Sequence, residues 1–290
     1  MKPIIYRNTD HDAPVLSQHP GTMNTLLKAC LVTGYGDKPA AGWEIAYENT
    51  AEHKLALRSK NPMSEQAVLL LHDTQTIKAD VTAYKHWAGD AGSDQWGSGA
   101  FWKRWGTGYD PAYWVVIATD TFFYIWIQTE LNQSGMGKLD FFGDAISLRN
   151  DMSFAVLAAA PRSVNYDQSG IGLSSINTSH NKEAQFPRSL FPSFTQYWGD
   201  RSVEQGGGSA WASQTTIFAR FALYVELDGR KQPVLELPGA LMPYSEIWGR
   251  RTDGEVQRLD NQVPYQEPLV GLYQPWHGRM WLQVDDWSAP

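Results

Sequence analysis

The chain is poor in cysteine, in long apolar runs and in charge. One cysteine, Cys30, in 290 residues excludes an internal disulfide and a zinc site built on several thiolates. Stability must then come from core packing and from contacts between subunits. No run of about 18 apolar residues occurs, and the longest candidate, 112–128, is broken by Thr119, Asp120 and Thr121. Residues 1–8 lack the apolar stretch of a secretory signal. A reducing cytoplasm, with no membrane insertion, is the expected setting. Charged residues reach only 19%, below the roughly 25% of ordinary soluble domains. The 24 Lys and Arg against 31 Asp and Glu leave a net charge of −7. That balance argues against nucleic acid as a partner, because phosphate binding depends on cationic side chains.

Sequence patterns that carry chemistry are also missing. The seven histidines, at 11, 19, 53, 72, 86, 180 and 277, show no spacing that would bring two onto one metal. His72 and Asp73 are adjacent in a strand-like run and would point to opposite faces. No Gly-x-Ser-x-Gly elbow occurs, and Gly34-Tyr35-Gly36 lacks the third glycine of a dinucleotide fingerprint. Asp90, Asp94, Asp140 and Asp144 could supply a carboxylate pair for glycan hydrolysis, but with 31 acids no pair stands out. The expectation is a protein that is not an enzyme and has no catalytic residues, metal or cofactor.

What the chain does have is aromatic residues and turn formers: 13 Trp, 13 Tyr, 11 Phe, 25 Gly and 16 Pro. This mixture predicts many short strands joined by turns. One helix is expected over 22–33, where Met23, Leu26, Leu27, Cys30 and Leu31 form an apolar stripe. Thr22 would be its N-cap and Gly34 and Gly36 its stop. Cys30 on the buried stripe reads as an inert core thiol.

Strand patterns cover 43–47, 54–58, 67–72, 77–87, 113–118, 122–129, 145–148, 152–160, 215–227, 232–237, 269–273 and 280–284. A hairpin turn is expected at 119–121. The fold class is therefore mainly β: an antiparallel sandwich or jelly-roll-like arrangement with one short N-terminal amphipathic helix and long loops. Residues 1–290 are expected to form a single two-lobed unit with a seam within 161–212.

Two tracts, 88–113 and 161–212, read as long loops, and long loops in compact domains are commonly functional. The first carries Trp96, Trp102, Trp105, Tyr109 and, at its end, Tyr113; the second carries Tyr197, Trp198 and Trp211. Flat apolar rings suit three roles: plugs that hold loops to a sheet, anchors of a subunit interface, or a platform for sugar faces.

The order of residues near the N-terminus adds a resemblance. Tyr6-Arg7-Asn8-Thr9-Asp10 and Ala13-Pro14-Val15-Leu16 are followed by Gly21-Thr22, then Leu26-Leu27-Lys28-Ala29-Cys30-Leu31-Val32, then Gly34-Tyr35-Gly36 through Ala40-Ala41-Gly42-Trp43. This set resembles a family of tailed-bacteriophage virion structural proteins. Weaker likenesses lie in 80–87, in Phe122-Phe123-Tyr124-Ile125, in Phe141-Phe142-Gly143-Asp144, which is similar to a turn of that family and implies a turn at 141–144, and in Gly271-Leu272-Tyr273-Gln274-Pro275. The tracts 96–114 and 161–212 depart from the pattern. The resemblance implies a structural component of a phage particle, in tail, baseplate or neck. Such a protein would be assembled in the bacterial cytoplasm and would associate with itself, as a ring or trimer, and with other phage structural proteins. The alternative is a receptor-recognition module that binds host surface glycan through its loop tryptophans. The glycines of the motif are expected to be architectural, at turns that need positive φ.

Overall fold

The computed structural model describes residues 2–103, 111–130, 136–148, 153–159, 176–179, 191–192, 218–227, 230–243, 269–274 and 278–283. The chain opens with strand β1 (Ile4–Arg7) and helix α1 (Thr22–Lys28), which continues into a π-helical turn, Ala29–Thr33. Five strands follow as an antiparallel meander: β2 (Trp43–Asn49), β3 (Lys54–Ser59), β4 (Val68–His72), β5 (Lys78–Ala88) and β6 (Ala91–Trp102). The remaining strands are β7 (Tyr113–Ala118), β8 (Phe122–Glu130), β9 (Met136–Ser147), β10 (Phe154–Ala158), β11 (Ile176–Thr178), β12 (Phe191–Pro192), β13 (Phe218–Leu227), β14 (Arg230–Pro243), β15 (Leu269–Gln274) and β16 (Gly278–Gln283). With β1 they form a larger antiparallel sheet whose main path is β1-β7-β8-β9-β14-β13-β12. The pair β10–β11 branches from β9, and the pair β15–β16 from β14.

The fold is thus mainly β, with the two sheets arranged as a sandwich. Leu55, Leu57, Leu69, Leu71, Val81 and Ala83 of the small sheet share one core with Trp114, Val116, Ala118, Phe123, Ile125, Ile127 and Phe142 of the large one. Helix α1 adds Met23, Leu26 and Leu27 to the same core and its π-helical end adds Cys30 and Leu31, so the apolar stripe read from sequence is the buried face of both. Burial pushes the Cys30 thiol well above its ordinary range, as expected of an inert core cysteine.

The central strands of the large sheet are buried on both faces. Val115, Ile117, Tyr124, Trp126, Leu139 and Phe141 alternate with the core set and are themselves buried. Tyr124 donates its hydroxyl to the carbonyl of Pro238 in β14 at 2.9 Å. Double burial accounts for the continuous apolar runs of β7 and β8, which replace the in–out alternation of a half-exposed strand.

Three local expectations are corrected. Within the tract 88–113, residues 88–102 are not loop: β5 extends to Ala88 and β6 returns from Ala91, paired from Ala88↔Ala91 to Lys78↔Trp102, while 104–110 lie outside the described residues. Its small residues make room for aromatic rings, since a Cβ on Gly92 would lie 2.5–2.7 Å from the ring of Tyr84. Cross-strand packing here overrides low intrinsic strand preference. The expected turn at 141–144 is instead continuous strand in β9. Gly143, at φ +128, lets the strand pass the 119–121 turn, where an added Cβ would come within 2.3 Å of the Thr121 carbonyl.

The third correction concerns the helix cap. Gly21, at φ +81, occupies the N-cap, while the Thr22 hydroxyl donates back to the carbonyls of Ser17 (2.8 Å) and His19 (2.9 Å). The Met23 N–H donates to Asp73 Oδ2 at 2.8 Å, so the acceptor comes from the end of β4. The suggested seam in 161–212 lies outside the described residues, apart from β11, Ser179 and β12.

Between β1 and β2 the chain is tied in a compact knot. The Tyr6 hydroxyl donates to the Pro39 carbonyl at 2.7 Å and the Tyr35 hydroxyl to Asp10 Oδ2 at 2.9 Å. The Arg7 N–H donates to the same Asp10 oxygen at 2.7 Å, and Lys38 Nζ to the Ile5 carbonyl at 3.1 Å. Burial moves both tyrosines upward from their ordinary values. Gly36 sits at φ +52, where an added Cβ would meet the His11 carbonyl oxygen at 2.4 Å. Gly36→Ala is therefore expected to cost about 1–3 kcal/mol from backbone conformation alone, read as a lower urea midpoint with an unchanged slope.

Candidate functional site

Three of the eight aromatic residues singled out from sequence, Trp96, Trp102 and Tyr113, fall in the described part of the chain, and the two tryptophans are buried. Trp96 is the extra residue of a bulge in β6, where pairing shifts from Ala83↔Gly97 to Tyr84↔Gln95. The bulge turns its side chain into the core, stacked on Phe142 at 6.3 Å and 12°. Trp102 is 3% exposed, with Lys78 Nζ 5.9 Å from its ring centre. Neither ring offers a free face within this chain. Tyr113 is half-buried in β7, edge-on to Trp126 at 5.9 Å. Trp105, Tyr109, Tyr197, Trp198 and Trp211 lie outside the described residues.

A partly exposed aromatic group does occur, at Tyr47, Tyr84 and Trp87. The Trp87 ring lies 5.9 Å from Tyr47 and 5.7 Å from Tyr84. Tyr47 belongs to β2 and Trp87 to β5, with β3 and β4 between them in the sheet, so the end of the β5–β6 hairpin leans across that face. The indole N–H of Trp87 donates to the Gly89 carbonyl at 3.0 Å, which fixes the ring against its own turn. Tyr47 stands opposite the buried Ala56 in the β2–β3 register.

Polar side chains gather at two places the sequence did not reveal. The first is a fully buried ion pair, Lys103 Nζ to Asp73 Oδ1 at 2.6 Å, with both side chains at 0% exposure. Lys103 also donates to the His19 carbonyl at 3.0 Å, and Asp73 accepts the Met23 N–H. The pair thus joins the end of β6, the end of β4 and the start of α1. Thirty residues separate the partners, and no local pattern marks either one.

The second place is the junction of the two sheets, where Glu65, Asp120 and Asp144 meet. Glu65 lies in the β3–β4 connection, Asp120 in the β7–β8 turn and Asp144 in β9. Asp144 accepts the Glu65 N–H at 3.1 and 3.3 Å through its two oxygens. Its own N–H donates to the Thr121 carbonyl at 3.1 Å. Asp120 Oδ2 accepts from Asn61 Nδ2 at 3.1 Å, and the Asp120 carbonyl accepts from the Ser59 hydroxyl at 2.5 Å. The Ser153 hydroxyl donates to Glu65 Oε1. Burial first, then the neighbouring Glu65 and Asp120 carboxylates, raise Asp144 to about 7. Asp144 stood among the sequence candidates only as one of many acids. What sets it apart is its position after Gly143, against the 119–121 turn.

Among the described residues, no group of three His, Cys, Asp or Glu side chains is arranged to hold a metal ion. No helix among them is long and apolar enough to cross a membrane. The residues of the 6–43 motif build a scaffold. They form the Tyr6–Asp10–Tyr35 knot, the helix packed on both sheets, the positive-φ glycines 34, 36 and 42, and Trp43, whose indole N–H donates to the Thr119 carbonyl at 2.7 Å. Comparison with protein-family models, with curated proteins and with solved structures finds no match to this chain.

Proposed function

We propose that this protein is a structural component of a tailed-bacteriophage particle, placed in tail, baseplate or neck. It would act by associating with itself, as a ring or trimer, and by docking to other virion proteins. The observation that carries this reading is the 6–43 motif, which resembles that family. A second point supports it: the side chains of that motif are spent on joining the two sheets, as a rigid building block requires. Assemblies of this kind bury complementary surface in symmetric copies, with a few large side chains dominating the contact energy.

Immunogold labelling of purified particles with an antibody to this chain tests the reading. Gold at one fixed position in neck, tail or baseplate is the expected result. Absence of label from both intact and disrupted particles overturns it. Gold confined to fibre tips would instead favour recognition of host glycan, for which the aromatic residues outside the described part would be the first to vary.

A further inference from the structure

Lys103 and Asp73 are held against each other by their own backbones. The Lys103 N–H donates to the Ile77 carbonyl at 2.8 Å and the Asp73 N–H to the His53 carbonyl at 2.9 Å, so each residue is anchored just past the end of its strand. Their side chains are wholly buried, with Nζ 2.6 Å from Oδ1. Among the described residues, neither side chain has a further partner beyond the His19 carbonyl and the Met23 N–H. These partners leave a mismatch. An ammonium has three hydrogens to donate, and Lys103 has two acceptors, Asp73 Oδ1 and the His19 carbonyl at 3.0 Å. Asp73 Oδ2 takes the Met23 N–H at 2.8 Å. Joined as an amide, the same atoms would carry one N–H, directed at His19, and one C=O, accepting from Met23. Every polar group would then be paired.

We propose that Lys103 and Asp73 condense into an isopeptide bond, an intramolecular cross-link between the ends of β4 and β6. Holding two charges away from water is costly, and condensation removes both. The hydrogens balance on the atoms present. One ammonium hydrogen passes to Oδ1 across the 2.6 Å contact, leaving an amine with a lone pair and a carboxylic acid. Nζ then attacks Cγ and forms the N–C bond, while Oδ2 takes up negative charge against the Met23 N–H, which serves as an oxyanion donor. As that charge returns, the Cγ–Oδ1 bond breaks. The leaving hydroxyl takes a second hydrogen from the nitrogen and departs as water. The third hydrogen remains as the amide N–H on the His19 carbonyl. The two side chains are the only reactants, and no oxidant or reductant is consumed.

Carboxylates and amines do not condense in bulk water, because both are hydrated ions and water is in excess. Burial removes that hydration, and fixed placement gives intramolecular groups effective concentrations of roughly 10⁵–10⁸ M. The bond forms once in the life of a chain, so a half-time of hours suffices. It closes a loop between residues thirty apart, a constraint on the unfolded chain that adds to the charge penalty of losing Lys103.

The test is the intact mass of the full-length protein, purified folded and then denatured for mass spectrometry. The natural chain should be lighter than its sequence by one water, about 18 Da, and Lys103→Met should have its full calculated mass. Tryptic digestion locates the loss. Residues 61–78, which contain Asp73, should be joined to residues 86–104, because trypsin does not cut after an acylated Lys103. A natural chain at its full calculated mass, with 61–78 and 86–103 recovered as separate peptides, overturns the proposal. So does a loss of water that stays within one unbranched peptide or persists in Lys103→Met. Should Lys103→Met fail to fold, the mass and the branched peptide of the natural chain decide alone.

Discussion

Lys103→Met is expected to lower the unfolding free energy by about 3–5 kcal/mol, because it leaves the Asp73 carboxylate buried without its cation. Both side chains of the pair are wholly inaccessible to water, so neither charge can be rescued by solvent while the fold is intact. The loss would spread beyond the pair. Asp73 holds the Met23 N–H at the start of α1, and its backbone accepts the Gly21 N–H at 2.9 Å. A shifted carboxylate would therefore loosen the helix that seals the core. Asp73→Asn should also destabilise, by leaving the ammonium uncompensated.

The informative variant is the double one, Lys103→Met with Asp73→Asn. It removes both charges and keeps a side-chain oxygen for the Met23 N–H. It should be more stable than Lys103→Met alone, the pattern in which the damage comes from an unpaired charge rather than from the loss of an attraction. Urea unfolding of the four chains closes the cycle. A cost below about 1 kcal/mol for Lys103→Met, in the range of exposed pairs, would show that the ammonium reaches water and that the pair is not a buried anchor.

Much of the fold is legible in the sequence because strand and helix periods are local properties. The stripe from Met23 to Leu31 places α1 and its π-helical end, and the runs 54–58, 67–72 and 113–118 fall within one residue of strands β3, β4 and β7. What local reading misses has a common cause: the deciding partner lies far along the chain. Glycines and serines in β6 look like a loop until β5 is laid beside them. The cap of α1 comes from Asp73, fifty residues away, so the nearer Thr22 takes the role by default. The turn at 141–144 comes from the resemblance alone, whereas within β9 Gly143 makes space for the Thr121 carbonyl. The candidate site suffers most from this. A tryptophan in a glycine-rich tract looks exposed, yet the bulge at Trp96 turns the ring into the core against Phe142. The carboxylate junction has no sequence signature, since its three acids meet only when the two sheets close.

Trp43→Ala should be the most damaging single change in the described part of the chain, at about 5 kcal/mol. Truncating a buried tryptophan costs roughly 3–5 kcal/mol through lost transfer energy and the cavity left behind. Trp43 stands at that upper end because it joins three elements. It is 1% exposed, lies edge-on to Phe123 of β8 at 5.5 Å and packs against Phe142 of β9 at 6.0 Å. Its indole N–H donates to the Thr119 carbonyl in the β7–β8 turn at 2.7 Å. Removal would open the core between the sheets and leave that carbonyl without its donor, which accounts for about 1–3 kcal/mol of the penalty where the cavity stays dry.

Small domains are stable by only about 5–15 kcal/mol in all, so the alanine variant should sit near its unfolding midpoint at room temperature. Trp43→Phe separates the two contributions, since it retains most of the ring contact and loses only the hydrogen bond and part of the volume. A Phe variant that is about 2 kcal/mol less stable than the natural chain, beside an Ala variant that barely folds, is the expected pair of results. Equal losses in the two would mean that the Thr119 hydrogen bond, rather than the ring packing, joins the first strand of the small sheet to the large one.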